Sequence, residues 1–275
     1  MSESPKVSFI TVAYKTPHLI RLLLRGVEAA KFAFPFEYFL VDNGGDGTAK
    51  MVRERFPWVT IVEPEENLGF AKGNNLALRQ AQGEYVMLTN PDLTIFPGEM
   101  EKLIAFADTS PDAGLIGPRI EYPNGERQES CTRFPVSLMP AYRRTVLGKT
   151  PWGKRAIDRY LMRDIDHNGA HHADVLYGAA ILARQKALNE IGHLDERFFM
   201  YYEDVDLCRR AWEKGWKVVY APVARFAHYH TRDSVIANPL ELITKPTTRY
   251  HIASGIQYHL KYRGVPLPGS GPVSV

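Results

Sequence analysis

Three observations predict an α/β fold with a mostly parallel central sheet. Short apolar strands alternate with helical stretches from Val7 to Thr89, the order that parallel sheets with right-handed crossovers produce. Polar and acidic residues cluster just past the carboxyl ends of those strands, where ligands bind in such sheets. The 275 residues, 45% of them hydrophobic, are enough for one large core, or one core with a smaller appended region.

Val7 to Tyr14 reads as a buried strand rich in β-branched and aromatic residues. Thr16-Pro17 then offers an N-cap and a proline at the first helical position, ahead of an apolar stripe through Leu19, Leu22, Leu23 and Val27. Tyr38 to Val41 is a second strand, closed by Asp42-Asn43 and the turn Gly44-Gly45-Asp46-Gly47. A helix carrying Met51, Val52 and Phe56, a strand at Val59 to Val62, a helix from about Ala71 to Ala81 and a strand at Tyr85 to Thr89 follow. Tyr14, Asp42, Asn43, Asn90 and Asp92 thus fall beyond strand ends.

The second half is less regular. Leu115 to Tyr122 reads as a strand and Pro123-Asn124-Gly125 as a turn. Residues from about Phe134 to His172 lack periodicity and read as a mobile or acceptor-side insertion. Leu176 to Ala183 is an apolar strand whose Gly178-Ala179-Ala180 allows close backbone approach. Trp216 to Tyr220 is a last strand, ended by Pro222.

The chemistry concentrates in two acidic elements. Phe198-Phe199-Met200-Tyr201-Tyr202 delivers Glu203, Asp204 and Asp206 into a helix start; Val205, Cys208 and Trp212 form its stripe, and Gly215 is placed to end it. Negative charge suits a helix N-terminus in any protein. A second element, Thr89-Asn90-Pro91-Asp92, also follows an apolar strand, and the pairing fits a transferase that uses a cation and a base. Asn67-Leu68-Gly69-Phe70-Ala71-Lys72-Gly73-Asn74-Asn75 opens a helix with backbone N–H groups and a cation, which suits a diphosphate. His228 and His230 are candidate metal or phosphate ligands. The Gly44–Gly47 turn lacks the G-x-G-x-x-G spacing and no P-loop occurs, which excludes the common dinucleotide and NTPase motifs.

Lys plus Arg number 34 and Asp plus Glu 31, too even a balance for a phosphate-tracking surface, so no nucleic-acid partner is expected. Basic and aromatic residues do gather at Arg143–Arg163 and Arg249–Arg263, a pattern that suits a membrane surface or an anionic acceptor. Cys131 and Cys208 have no CxxC spacing, so neither a disulfide framework nor a zinc site is expected, and a reducing compartment follows. With a polar start and no apolar run of membrane-spanning length, the expected location is cytoplasmic, with peripheral contact at the inner membrane face at most.

As a set, the opening strand with Thr11 and Tyr14, Val41-Asp42-Asn43, the Asn67–Asn75 element, Asn90-Pro91-Asp92 and Glu203-Asp204-Val205-Asp206-Leu207 resemble the family 2 glycosyltransferases, inverting enzymes of the GT-A fold, over roughly Lys6 to Ser234. Asn-Pro-Asp and the Phe198–Leu207 segment are most similar to bacterial rhamnosyltransferases of surface-polysaccharide assembly. Two departures stand out: the usual Asp-x-Asp is Asn90-Pro91-Asp92, and the second-strand turn lacks a serine common in relatives.

The resemblance implies a nucleotide site of Thr11, Tyr14, Asp42, Asn43, Asn67, Lys72, Asn90 and Asp92, with Asp42 on the base or ribose. It also implies a divalent cation, Mg²⁺ or Mn²⁺, on Asp92 and His228, with His230 in reserve. Asp204 would be the general base, Glu203 would position base or acceptor, and Asp206 would be structural. The implied donor is dTDP-L-rhamnose, with a UDP-hexose as alternative, and the implied acceptor a glycan or lipid-linked oligosaccharide. Residues 1–240 would form the GT-A domain, a Rossmann-like nucleotide half at 6–118 and an acceptor half at 119–240, followed by a basic, aromatic extension at 241–275. A nucleotidyltransferase would favour a glycine-rich, basic loop after the first strand, unlike Ala13-Tyr14-Lys15-Thr16-Pro17. A non-catalytic sugar-nucleotide-binding module need not retain Glu203-Asp204.

Overall fold

A computed structural model describes residues 4–136, 139, 142, 146–229 and 245–269. The first half alternates as expected: β1 (Val7–Ala13), α1 (Pro17–Ala30), β2 (Phe36–Asp42), α2 (Thr48–Arg55), β3 (Thr60–Val62), α3 (Gly69–Leu78) and β4 (Tyr85–Thr89). Pro17 does occupy the first turn of α1, but the Thr16 hydroxyl makes no capping bond. Then come β5 (Leu93–Ile95), α4 (Glu99–Thr109), β6 (Ala113–Glu121) and β7 (Cys131–Thr132).

One nine-stranded sheet has the order β3-β2-β1-β4-β10-β6-β11-β5, with β8 (His171–His172) also on β11. β3, β2, β1 and β4 are mutually parallel, as are β6 and β11 (Lys217–His228), whereas β10 (Ala180–Arg184) and β5 run against their neighbours. Every residue of β1 is buried, as expected of a strand covered on both faces. Alternation sends Phe9, Tyr38 and Met87 to one core with Leu23, Leu24 and Leu103 of α1 and α4. Ile10, Val12 and Leu88 enter the other, with Ala71 and Leu78 of α3.

Three expectations are corrected. The Leu176–Ala183 run is two strands, β9 (Val175–Leu176), paired with β7, and β10; the chain breaks at Tyr177-Gly178-Ala179. The last strand does not stop at Pro222: its register on β6 shifts between Ala221 and Arg225, and β11 resumes to His228. A bulge there accommodates a proline that cannot donate to the ladder. Part of the 134–172 stretch is ordered, with a 3-10 turn at Val146–Lys149 and α5 (Pro151–Tyr160), whose Thr150 cap accepts from the Gly153 amide at 3.1 Å.

α6 (Gln185–Ile191) and α7 (Glu203–Glu213) follow β10, and α7 ends before Gly215 as its spacing suggests. α8 (Pro246–Lys261) lies within the expected carboxyl-terminal extension, yet it packs into the main body. Its Tyr258 shares a buried cluster with Phe198 and Tyr202 of the acidic element.

Candidate active site

The sheet brings the polar strand ends to one edge. β1, β2 and β4 finish there, the Asn43 amide donates to the Ala13 carbonyl at 2.9 Å, and the Asn90 amide to the Ala179 carbonyl at 3.0 Å. Because β10 runs against β4, with Ala180 opposite Thr89, its entrance at Gly178-Ala179 lies at the same edge. The Gly178 amide in turn donates to Asp204 Oδ2 at 3.0 Å. Two hydrogen bonds, one between backbone groups and one from backbone to the Asp204 carboxylate, thus tie Asn90-Pro91-Asp92 to the acidic helix.

Asp204 sits in the first turn of α7, partly exposed, with its second oxygen accepting from the Val205 amide at 2.8 Å. Burial raises its pKa, and the two N–H contacts oppose that shift. Glu203 beside it is 5% exposed, and its Oε2 has no hydrogen-bond partner among the described residues. Burial, then the Asp204 charge, pushes the Glu203 carboxyl well above its ordinary range. Tyr201 and Tyr202 enter the helix at φ 69° and 68°, left-handed conformations that cost bulky residues roughly 1–3 kcal/mol each. Neighbouring groups hold them there. The Tyr202 ring faces Gly255, where a Cβ would approach to 3.3 Å, and the Ser254 hydroxyl donates to the Met200 carbonyl at 2.8 Å. Asp206, wholly buried, accepts from Arg210 at 2.7 Å, Tyr262 at 2.7 Å and Lys261. It is structural, as expected.

On the other side of Asn90, the Asp92 and His228 side chains meet at 3.0 Å through Oδ1 and Nε2. β11 pairs antiparallel with β5, setting His228 opposite Leu93. Gln128 fixes the ring: its amide nitrogen donates to the His228 carbonyl at 2.7 Å, so its oxygen faces Nδ1 at 3.0 Å. Nδ1 therefore donates to Gln128, and Nε2 points at the Asp92 carboxylate oxygen, a spacing that takes either a proton or a cation between the two atoms. Two ligands about 2.1 Å from one octahedral ion also stand about 3 Å apart. A histidine whose far N–H is held by an amide is the usual metal-binding arrangement. The donor set fits a divalent cation.

The other expected residues divide. Thr11 is corrected: it is fully buried, its hydroxyl shared with Tyr38 at 2.7 Å and Thr89 at 2.6 Å, so it belongs to the core. Asp42 is 4% exposed, and its oxygens accept the Gly44 and Ala49 amides at 3.0 and 2.9 Å, which organises the turn into α2. Asn43 donates to the Gly69 carbonyl at 2.9 Å, and Asn67 caps the Gly69 amide at 2.9 Å. Tyr14 and Lys72 are exposed. His230 lies outside the described residues. Gly69 adopts φ 77°, and the Phe70 amide donates to the Phe199 carbonyl at 2.7 Å, so the Asn67–Asn75 element touches the segment that carries Asp204. Sequence reading missed Gln128, which has no local signature, and the bracing role of α8.

The mostly parallel sheet with its 3-2-1-4 strand order and flanking helices is shared with solved glycosyltransferases of the GT-A fold. GalNAc-T7 with UDP, GalNAc and Mn²⁺ is similar in fold at a TM-score of 0.64 and 14% identity, over 94% of this chain and 48% of that one, so this chain spans about half its length. The mannosyltransferase PcManGT from Pyrobaculum calidifontis, in complex with GDP-Man and Mn²⁺, gives a TM-score of 0.55 at 17% identity, over 97% and 78% of the two chains. Residues 8–192 match Glycosyl transferase family 2. The chain belongs to that family and is a glycosyltransferase. N-acetylglucosaminyl-diphospho-decaprenol L-rhamnosyltransferase of Mycobacterium tuberculosis (strain ATCC 25618 / H37Rv) is 32% identical over 237 residues, 80% of this chain and 75% of that protein.

Proposed function

We propose that this glycosyltransferase moves L-rhamnose from dTDP-L-rhamnose, with inversion, to a glycan on a lipid diphosphate, and that Asp204 is its general base. The observation that carries the reading is the placement of Asp204: a partly exposed carboxylate of raised pKa, linked through Gly178 to the sheet edge that holds Asp92 and His228. Asp204 takes the proton of an acceptor hydroxyl as its oxygen bonds to the anomeric carbon. The carbon–oxygen bond to the nucleoside diphosphate breaks on the opposite face, and one displacement inverts the centre. A raised pKa suits a base that must hold the proton it removes. Glu203, whose carboxyl is pushed well above its ordinary range by burial and by the Asp204 charge, stands beside it and positions the base. Asp92 and His228 would hold a divalent cation, which when bound supplies positive charge to the diphosphate leaving group. Asn43, Asn67, Lys72, Asn90 and Tyr14 remain the candidates for donor contact, with Asp42 shaping their loop.

Sugar and acceptor rest on the mycobacterial relative, whose name states rhamnosyl transfer to a diphospho-prenol-linked N-acetylglucosamine. Among the described residues no helix is long and apolar enough to cross a membrane. Ile252, Ile256 and Leu260 of α8, 37%, 56% and 64% exposed, recur at helical spacing and suit peripheral contact with the membrane that carries such an acceptor. The test is a thermal-shift screen with Mg²⁺ followed by product analysis on a prenyl-diphosphate-linked N-acetylglucosamine. Stabilisation by dTDP and dTDP-rhamnose but not UDP-glucose, with rhamnosylated product, is expected. Preference for a UDP-sugar sinks the donor assignment.

A further inference from the structure

A second cluster of ligand side chains lies at the root of the 134–172 segment. Cys131 of β7, His167 in the stretch after α5 and His171 of β8 are 1%, 7% and 3% exposed. One ligand atom of each lies within 4.8 Å of the others. His167 Nδ1 is 3.9 Å from Cys131 Sγ and 3.0 Å from His171 Nε2.

The protons do not balance without a further positive charge. His167 Nε2 faces the Met162 carbonyl at 2.9 Å and His171 Nδ1 the His172 carbonyl at 3.1 Å. Carbonyls only accept, so each contact uses a ring N–H. Two neutral imidazoles own two such protons, and both are spent. His167 Nδ1 and His171 Nε2 then meet lone pair to lone pair. A third proton would create an imidazolium in the interior. Burial lowers the pKa of both rings, and the Arg127 guanidinium lowers them further. A metal ion resolves the conflict by accepting both lone pairs. Two Zn–N bonds of about 2.0–2.1 Å at a tetrahedral angle hold their nitrogens about 3.3 Å apart, close to what is observed.

We propose that Cys131, His167 and His171 form a structural site for Zn²⁺ or a similar borderline divalent cation, separate from the Asp92–His228 pair. Binding releases the Cys131 thiol proton to solvent, and thiolate and two imidazoles fill three positions. The Tyr220 hydroxyl, buried without a hydrogen-bond partner among the described residues on a ring stacked 4.9 Å from His171, or a water, is available for the fourth. Glu129 and Asp166 oppose part of the Arg127 charge at the cluster. Such an ion clips together the two ends of the 134–172 segment, and Gln128, which orients His228, stands three residues before Cys131. Closing a loop of that length is where a cross-link constrains the unfolded chain most.

Protein produced with Co²⁺ in place of Zn²⁺ tests the site. The wild type should carry about one tightly held metal per chain and show a thiolate-to-Co²⁺ charge-transfer band. Cys131→Ser and His171→Ala should lose the band and the metal, while Asp92→Ala, at a site without sulfur, should keep both. Absence of the band in the wild type, or its survival in Cys131→Ser, overturns the proposal. Should those variants not fold, 1,10-phenanthroline added to the wild type replaces them. Loss of the band together with a lowered Tm supports the site, and an unchanged Tm on metal removal refutes its structural role.

Discussion

Asp204→Asn separates chemistry from architecture. The amide cannot accept the acceptor's proton, so a general-base contribution of about 10²- to 10⁴-fold in kcat, roughly 3–5.5 kcal/mol of barrier, should disappear. The structural change can be worked from its contacts. The carboxylate accepts the Gly178 amide at 3.0 Å and the Val205 amide at 2.8 Å. Asparagine keeps one of these and turns an NH₂ toward the other, at a cost of about 1–3 kcal/mol. Against that, the substitution removes a charge that the fold disfavours. A carboxyl whose folded pKa is raised destabilises the native state above the unfolded value, and the amide does not titrate. The two effects oppose, so Tm should move by no more than about 5 °C. Donor-nucleotide Kd, measured by calorimetry, should stay within about twofold, because the base acts on a proton that moves only in the transition state. A variant with kcat within tenfold of wild type refutes the assignment of the base. Loss of nucleotide affinity together with turnover makes Asp204 a structural residue instead.

Glu203→Gln should change how stability depends on pH. The Glu203 carboxyl is raised above 4.5, so its stabilising proton is bound fully below that value and is lost as pH climbs toward the folded pKa. Wild-type Tm should therefore fall from about pH 5 upward, and the variant should flatten the decline; parallel curves would mean Glu203 is not titrating there. Gln128→Leu frees the His228 ring and should weaken Mn²⁺ binding by about 10- to 100-fold in a calorimetric titration, an unchanged affinity removing Gln128 from that role. Gly69→Ala puts a Cβ 2.7 Å from Phe199 Cδ2 at φ 77°, which should cost at least about 2 kcal/mol and lower Tm by about 4 °C or more. A wild-type melting curve would show that the two loops are not in contact.

Local patterns made much of this legible. Helix α7 is bounded by an apolar run, three acids and Gly215, and the strand that the sequence predicts at Tyr85–Thr89 coincides with β4. Asp92 and His228, far apart in sequence, lie 3.0 Å apart across the fold. What stayed hidden depends on distance or parity. Thr11 sits one residue from Ile10 but faces the other way, toward Tyr38, and no strand pattern says whether an inward hydroxyl meets a ligand or a tyrosine. Gln128 acts on a residue one hundred positions away, so nothing around it marks it. Pro222 reads as a strand end, yet a bulge in β11 carries the strand on to His228. Leu176–Ala183 is apolar throughout, which conceals that the Gly178 amide is turned out of the ladder toward Asp204.

Gly69 meets the Phe199 carbonyl main chain to main chain, through the Phe70 amide, with no side chain of its own between. At such a junction the glycine cannot be enlarged, because the Phe199 ring and carbonyl both lie against it. Side chains elsewhere on either loop can be exchanged while the spacing between the two loops stays set by peptide geometry. The part of the enzyme that must not drift is therefore written in backbone, and the parts free to vary are written in side chains around it.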